Sequence, residues 1–184
     1  MSYFSDIEYK KKDQTDSWFE QFYFNRWFSD NPGPILDIGC ATGNFIALAP
    51  QKVEGIDIDD DSLKIAKSRG FKVKKINCDG FMEELPSDYY SGAYAKHVIE
   101  HLNNPLIFLK EIKRIMKPGS LAVISTPNCP YMLAKNFFDD YTHVKSFTKN
   151  SLNMIAYDAG FTQVRIYEDF RCFTGLGRII RLFN

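Results

Sequence analysis

Long apolar runs are missing from this 184-residue sequence. No stretch approaches membrane-spanning length, and Asp6, Glu8 and the run Lys10, Lys11, Lys12 stand where a secretory leader would need an apolar segment. Membrane spanning and secretion are both argued against. Cysteine is scarce: Cys40, Cys78, Cys129 and Cys172 are widely spaced and form no CxxC pair, so neither a zinc knuckle nor a disulfide framework is indicated. A reducing, cytoplasmic setting is expected. Net charge is also lacking, with 23 Lys plus Arg against 23 Asp plus Glu, so no basic field exists to hold a nucleic-acid backbone and no nucleic-acid partner is expected. Repeats and linkers are absent too, because Pro and Gly fall singly between periodic segments, and the length suits one domain over 1–184.

What the sequence does have is aromatic residues, 15% of the chain with 16 Phe, concentrated near the N-terminus and in 131–147. Trp18, Phe19, Phe22, Tyr23 and Trp27 fall at helical spacing and predict an aromatic-faced helix over 16–28, part of an N-terminal cap spanning 1–30. An alternation follows: strands at Ile35–Ile38, Val53–Ile56, Phe71–Ile76, Gly92–Lys96, Leu121–Ser125 and Phe161–Tyr167, with helices at Asn44–Ala49, Ser62–Arg69, from Asn104-Pro105 to Met116, and from Thr148 to Ala159. Asn104 suits an N-cap, Pro105 the first helical position, and Gly70, Gly119 and Gly160 suit helix stops. Such alternation implies βαβ units, hence an α/β fold with a doubly wound, mostly parallel sheet and ligands at the carboxyl ends of its strands.

The chemistry-bearing segment is Ile35-Leu36-Asp37-Ile38-Gly39-Cys40-Ala41-Thr42-Gly43-Asn44-Phe45, a strand entering a glycine-bearing turn. Such a turn lets backbone approach a ligand closely and aims free N–H groups at it. A dinucleotide fingerprint G-x-G-x-x-G would fall on Gly39, Ala41 and Asn44 and matches only its first position, which argues against a nucleotide-cofactor oxidoreductase. The pattern D-x-G-x-G-x-G falls on Asp37, Gly39, Ala41 and Gly43 with one miss, at Ala41. Because Ala avoids positive φ, the turn is expected to be reached there at negative φ.

From about residue 33 to 170 the sequence resembles class I S-adenosylmethionine-dependent methyltransferases, whose fold is Rossmann-like. The resemblance rests on the Asp37–Gly43 turn, on Asp57 ending the second strand, on Asp79-Gly80, on Lys96-His97-Val98-Ile99-Glu100-His101, on Lys117-Pro118-Gly119 and on Ile124-Ser125-Thr126-Pro127-Asn128. In combination these look like the subgroup acting on small molecules, quinone precursors and glycans. The resemblance implies S-adenosylmethionine held by Asp37, Gly39, Cys40, Ala41 and Gly43, its ribose on Asp57 beside Ile58, its adenine on Asp79 and Gly80, and Lys96 and His97 beside the sulfonium.

His97-Val98-Ile99-Glu100-His101 also satisfies H-x-x-E-H, but that zinc motif needs one continuous helix, and here it starts at a strand end. No metal is expected, and Glu100 and His101 are read as holding the turn. His143 lies in the aromatic loop over 127–147 that resembles an acceptor-pocket border, so it is the first candidate for a base, with His97 next. A small-molecule or glycan acceptor, methylated at oxygen, is expected; a methyltransferase-like binding module without turnover stays open. After Tyr167, residues 171–184 read as a glycine-interrupted amphipathic helix on Leu176, Ile179, Ile180 and Phe183, leaving the fold's usual seventh strand in question. That helix could cover the sheet edge, meet a second copy in a homodimer, or touch a membrane surface peripherally.

Overall fold

A computed structural model describes residues 18–128, 137–169 and 177–184, apart from the side chains of 169, 177 and 178. Seven strands form one sheet in the order β3-β2-β1-β4-β5-β7-β6. They are β1 (Ile35–Ile38), β2 (Val53–Asp57), β3 (Val73–Lys75), β4 (Tyr90–Lys96), β5 (Met116–Pro127), β6 (Gln163–Asp169) and β7 (Gly177–Phe183). β1 to β5 pair in parallel, and β7 runs antiparallel to both β5 and β6. The strand order reverses between β1 and β4, the switch point at whose carboxyl ends such sheets bind their ligands.

Burial explains the central strands. All four residues of β1 are buried, as a strand covered on both faces requires. One face, with Leu36, Ile38, Ala122 and Ile124, packs against helices α3 (Pro105–Ile115) and α4 (Lys149–Asp158) through Phe108, Leu109, Ile112, Leu152 and Ala156. The other, with Ile35, Tyr94 and Val123, meets helix α1, described over 18–27, through Tyr23, Phe24 and the following Phe28. The Phe45 ring stacks on Tyr94 there with centroids 4.0 Å apart. Helix α2 (Asp60–Ser68) joins that side through Leu63, and the Asp59 carboxylate caps it by accepting from Ser62 N–H at 2.8 Å.

Several expectations are met closely. β1 has the predicted bounds, and α4 is capped by Thr148 in a reciprocal capping box with Ser151. Others shift. The expected helix at Asn44–Ala49 is only a 3₁₀ turn over Ile46–Leu48, and the third strand shortens to Val73–Lys75. Asn104 occupies the N-cap position of α3, yet its side chain makes no capping bond; the Asp79 carboxylate accepts its backbone N–H instead, at 2.8 Å.

The largest correction concerns the C-terminus. Residues 177–183 form β7, the seventh strand, where an amphipathic helix over 171–184 was expected; Leu176 lies outside the described residues. Ile180 and Leu182 are buried on the α4 face, while Ile179 is buried on the aromatic face. A strand covered on both faces loses its alternation, so apolar residues at 179, 180 and 183 mimic helical spacing. β7 sits between β5 and β6, so the docking roles imagined for a helix there are withdrawn.

Candidate active site

The switch point is shaped first by the turn after β1. Gly39 and Gly43 adopt φ of 72° and 87°, and a Cβ on either would come within 2.6 Å of the Val98 or Phe71 side chain. Ala41 also lies at positive φ, 44°, which overturns the expectation that it would reach the turn at negative φ. The reason is visible: Ala41 N–H donates to Asp57 Oδ2 at 2.8 Å, which holds the turn against the end of β2. A left-handed alanine costs about 1–2 kcal/mol, partly offset by glycine's larger unfolded entropy. Ala41→Gly is therefore expected to stabilise the fold by about 0.5–1 kcal/mol in urea denaturation, and a destabilised variant would show that the strain is relieved elsewhere.

Asp57 is half-buried, and its second oxygen accepts from Asp59 N–H at 2.9 Å. Each oxygen keeps a further lone pair. Its carboxylate thus ties the turn to the start of α2, a structural role that had not been foreseen beside the expected ribose contact. Ile58, next to it in the chain, and Phe81, two residues after Asp79, are 59% and 70% exposed. Phe81 was missed, although an aromatic following Asp79-Gly80 was a usable signal. Asp79 accepts from Asn103 Nδ2 at 2.7 Å as well as from Asn104 N–H. Burial pushes its carboxyl up, but these bonds outweigh that and hold it below the usual range. Gly80 faces open space.

Asp37 is buried, and desolvation pushes its carboxyl well above the usual range; Glu20 and Asp57 reinforce this, and Lys96 opposes it. Lys96 Nζ lies 3.9 Å from Glu20 Oε1 of α1, both largely buried. Glu20 was not foreseen, since only the aromatic spacing of α1 was legible. Cys40 is buried against Gly55, and desolvation pushes its thiol up, so backbone alone remains there for a ligand.

The histidines separate into two environments. His97 follows β4 directly at φ 53°, with its side chain 46% exposed and Nδ1 3.1 Å from Glu100 Oε1. Glu100 sits in the 3₁₀ turn Ile99–His101 and is fully buried; its Oε2 accepts from Thr126 Oγ1 at 3.0 Å, and its carbonyl accepts from Val144 and Lys145 N–H. His143 is 11% exposed, with Nδ1 2.7 Å from the Phe137 carbonyl and its ring beside those of Phe137 and His101. His101 Nδ1 lies 2.9 Å from Thr142 Oγ1. Glu100, His101 and His143 bring one ligating atom each within 4.8 Å of one another, a set that could hold a metal ion. That meeting of residues 42 positions apart was not legible in the sequence.

A seven-stranded sheet with its switch point between β1 and β4, an antiparallel β7, a glycine turn after β1 and an acid at the end of β2 is the class I methyltransferase architecture. The chain belongs to the methyltransferase-domain family, whose model matches residues 12–166. It is similar to a probable S-adenosylmethionine-dependent methyltransferase of Mycobacterium tuberculosis, 25% identical over 134 residues covering 71% of this chain and 49% of that protein. It is similar also to a ubiquinone biosynthesis O-methyltransferase of Dechloromonas aromatica, 30% identical over 51% of this chain and 44% of that one. The chain thus spans about half the length of these curated relatives. The fold matches a solved S-adenosylmethionine-dependent methyltransferase from Archaeoglobus fulgidus with a TM-score of 0.85, covering 100% of both chains at 24% identity.

Proposed function

We propose that this domain binds S-adenosylmethionine in the β1–β2–β4 crevice and transfers its methyl group to an oxygen of a small-molecule or glycan acceptor. The observation that carries the reading is the Asp57 carboxylate, which holds the left-handed turn with one lone pair of an oxygen and keeps others for a ribose diol. The turn's backbone and Asp37, Lys96 and Glu20 would surround the methionine part, and Ile58, Phe81 and Gly80 the adenine. The acceptor enters beside 137–147. The cofactor supplies the electrophile, so the protein's work is orientation, exclusion of water and removal of a proton.

We place that base at His97 rather than His143. Its Nδ1–H can donate to the buried Glu100 carboxylate, which fixes the tautomer and leaves Nε2 as the acceptor on a partly exposed side chain, the logic of a carboxylate–histidine pair. His143 serves instead to shape the loop. The known sequence relatives include an O-methyltransferase, which supports oxygen as the acceptor atom.

Titration calorimetry with S-adenosylmethionine and with NAD tests the cofactor: the first should bind and the second should not. Asp57→Ala should weaken S-adenosylmethionine by about 1.5–3 kcal/mol, the range for hydrogen bonds to a charged group, and should also lower the melting temperature because the turn loses its tie. Unchanged affinity in a folded variant would remove the ribose assignment. A screen of sugar nucleotides, phenols and amines with radiolabelled cofactor identifies the acceptor; no transfer to any of them would leave a binding module.

A further inference from the structure

β6 and β7 carry a feature the methyl-transfer site does not use. Their register sets Arg165 directly opposite Arg181, on the same sheet face as Tyr167 and Phe183. Like charges in directly opposed cross-strand positions repel. The two arginines nevertheless share one neighbour: Arg181 Nη1 donates to the Tyr167 hydroxyl at 3.2 Å, and Arg165 stands two positions before Tyr167 on the same face of β6. The Arg181 guanidinium lies 5.1 Å from the Phe183 ring centroid and 5.9 Å from that of Tyr167, which fixes its plane, and its buried Nε has no hydrogen-bond partner. Burial pushes the Tyr167 phenol up, but the two arginines outweigh that and hold it below the usual range. Among the described residues, no carboxylate pairs with either arginine. Arg165 and Tyr167 are exposed.

We propose that Arg165, Arg181 and Tyr167 form an anion site that takes a phosphoryl or diphosphoryl group carried by the methyl acceptor. Two planar guanidinium forks match phosphate oxygens, and an anion between them removes the repulsion that the register imposes. The site lies within a ligand's length of the end of β4. Lys96, Ser125, Ile179 and Tyr167 form one row across β4, β5, β7 and β6, so three strand spacings, roughly 14 Å, separate Tyr167 from the end of β4. That is the span of a phosphorylated sugar or nucleotide-sized molecule whose far end reaches His97. The link to the acceptor rests on the methyltransferase reading; the anion site does not.

Titration calorimetry of the full chain with sodium pyrophosphate, and separately with S-adenosylhomocysteine, tests both parts. Pyrophosphate should bind the unmodified protein and should weaken at least tenfold in Arg165→Gln and in Arg181→Gln, with S-adenosylhomocysteine affinity unchanged. Because Arg165 is exposed, its variant keeps the fold even if Arg181→Gln does not. Absence of pyrophosphate binding, or equal affinity in Arg165→Gln, overturns the site. Failure of S-adenosylhomocysteine alone would strike the methyltransferase reading and leave the site standing. In the acceptor screen, phosphorylated acceptors should show a raised KM with an unchanged kcat in Arg165→Gln. Turnover only of acceptors without phosphate, or an unaltered KM, overturns the acceptor link and assigns the site to free phosphate.

Discussion

A chain ending at residue 176 is expected to lose its cooperative thermal transition and its cofactor binding together. β7 is the strand that joins β6 to the rest of the sheet, so its removal strands β6 and exposes the edge of β5. Burying Ile179, Ile180 and Leu182 is worth about 1.5–3 kcal/mol each, or about 5–9 kcal/mol together, against a typical total stability of about 5–15 kcal/mol. The Asn184 side chain adds hydrogen bonds to the Met116 and Lys113 carbonyls that would go with it. Circular dichroism melts and S-adenosylhomocysteine calorimetry check this. Had these residues been a covering helix, the parallel strands and their crevice would survive the truncation, and survival with unchanged melting would refute the role assigned to β7.

His97→Ala should lower turnover by roughly 10²–10⁴, the usual range for a positioned base, while S-adenosylhomocysteine affinity changes little. The side chain is 46% exposed, so its loss leaves no core cavity and the fold should survive, with a lowered melting temperature because the buried Glu100 carboxylate loses one partner. Removing it also relieves an imidazole-bearing residue from left-handed backbone only in part, since alanine shares the strain at φ 53°. His143→Ala should behave differently. It breaks the bond to the Phe137 carbonyl and the packing with Phe137 and His101, so it should raise KM and lower stability more than it lowers kcat. Full turnover in His97→Ala, with loss of kcat in a folded His143→Ala, would return the base to His143.

The parallel half of the sheet was readable because its signals are local. β1 is an apolar run bounded by Pro34 and Gly39, α3 starts on Pro105 and stops before Lys117-Pro118-Gly119, and Thr148 and Gly160 bracket α4. The glycine turn was readable for the same reason. What escaped the sequence depends on partners far along the chain. Ala41 is left-handed because Asp57 holds its N–H, β7 is a strand because β5 and β6 cover both its edges, and His101 meets His143 only when the loop folds back. Glu20 reaches Lys96 across 76 positions, with no periodic signal to announce it.

Glu100 makes the turn after β4, the end of β5 and the 137–147 loop one energetic unit. Its carboxylate joins the β4 turn to Thr126 on β5, and its carbonyl anchors the loop at Val144 and Lys145. Groups that share a buried partner do not contribute independently, so changes at Thr126, at His97 and in the 137–147 loop should be non-additive. By thermodynamic reciprocity, an acceptor that orders the loop would hold the imidazole more firmly, and a firmly held imidazole would favour the ordered loop. Acceptor recognition and base placement are then two readouts of a single coupling free energy.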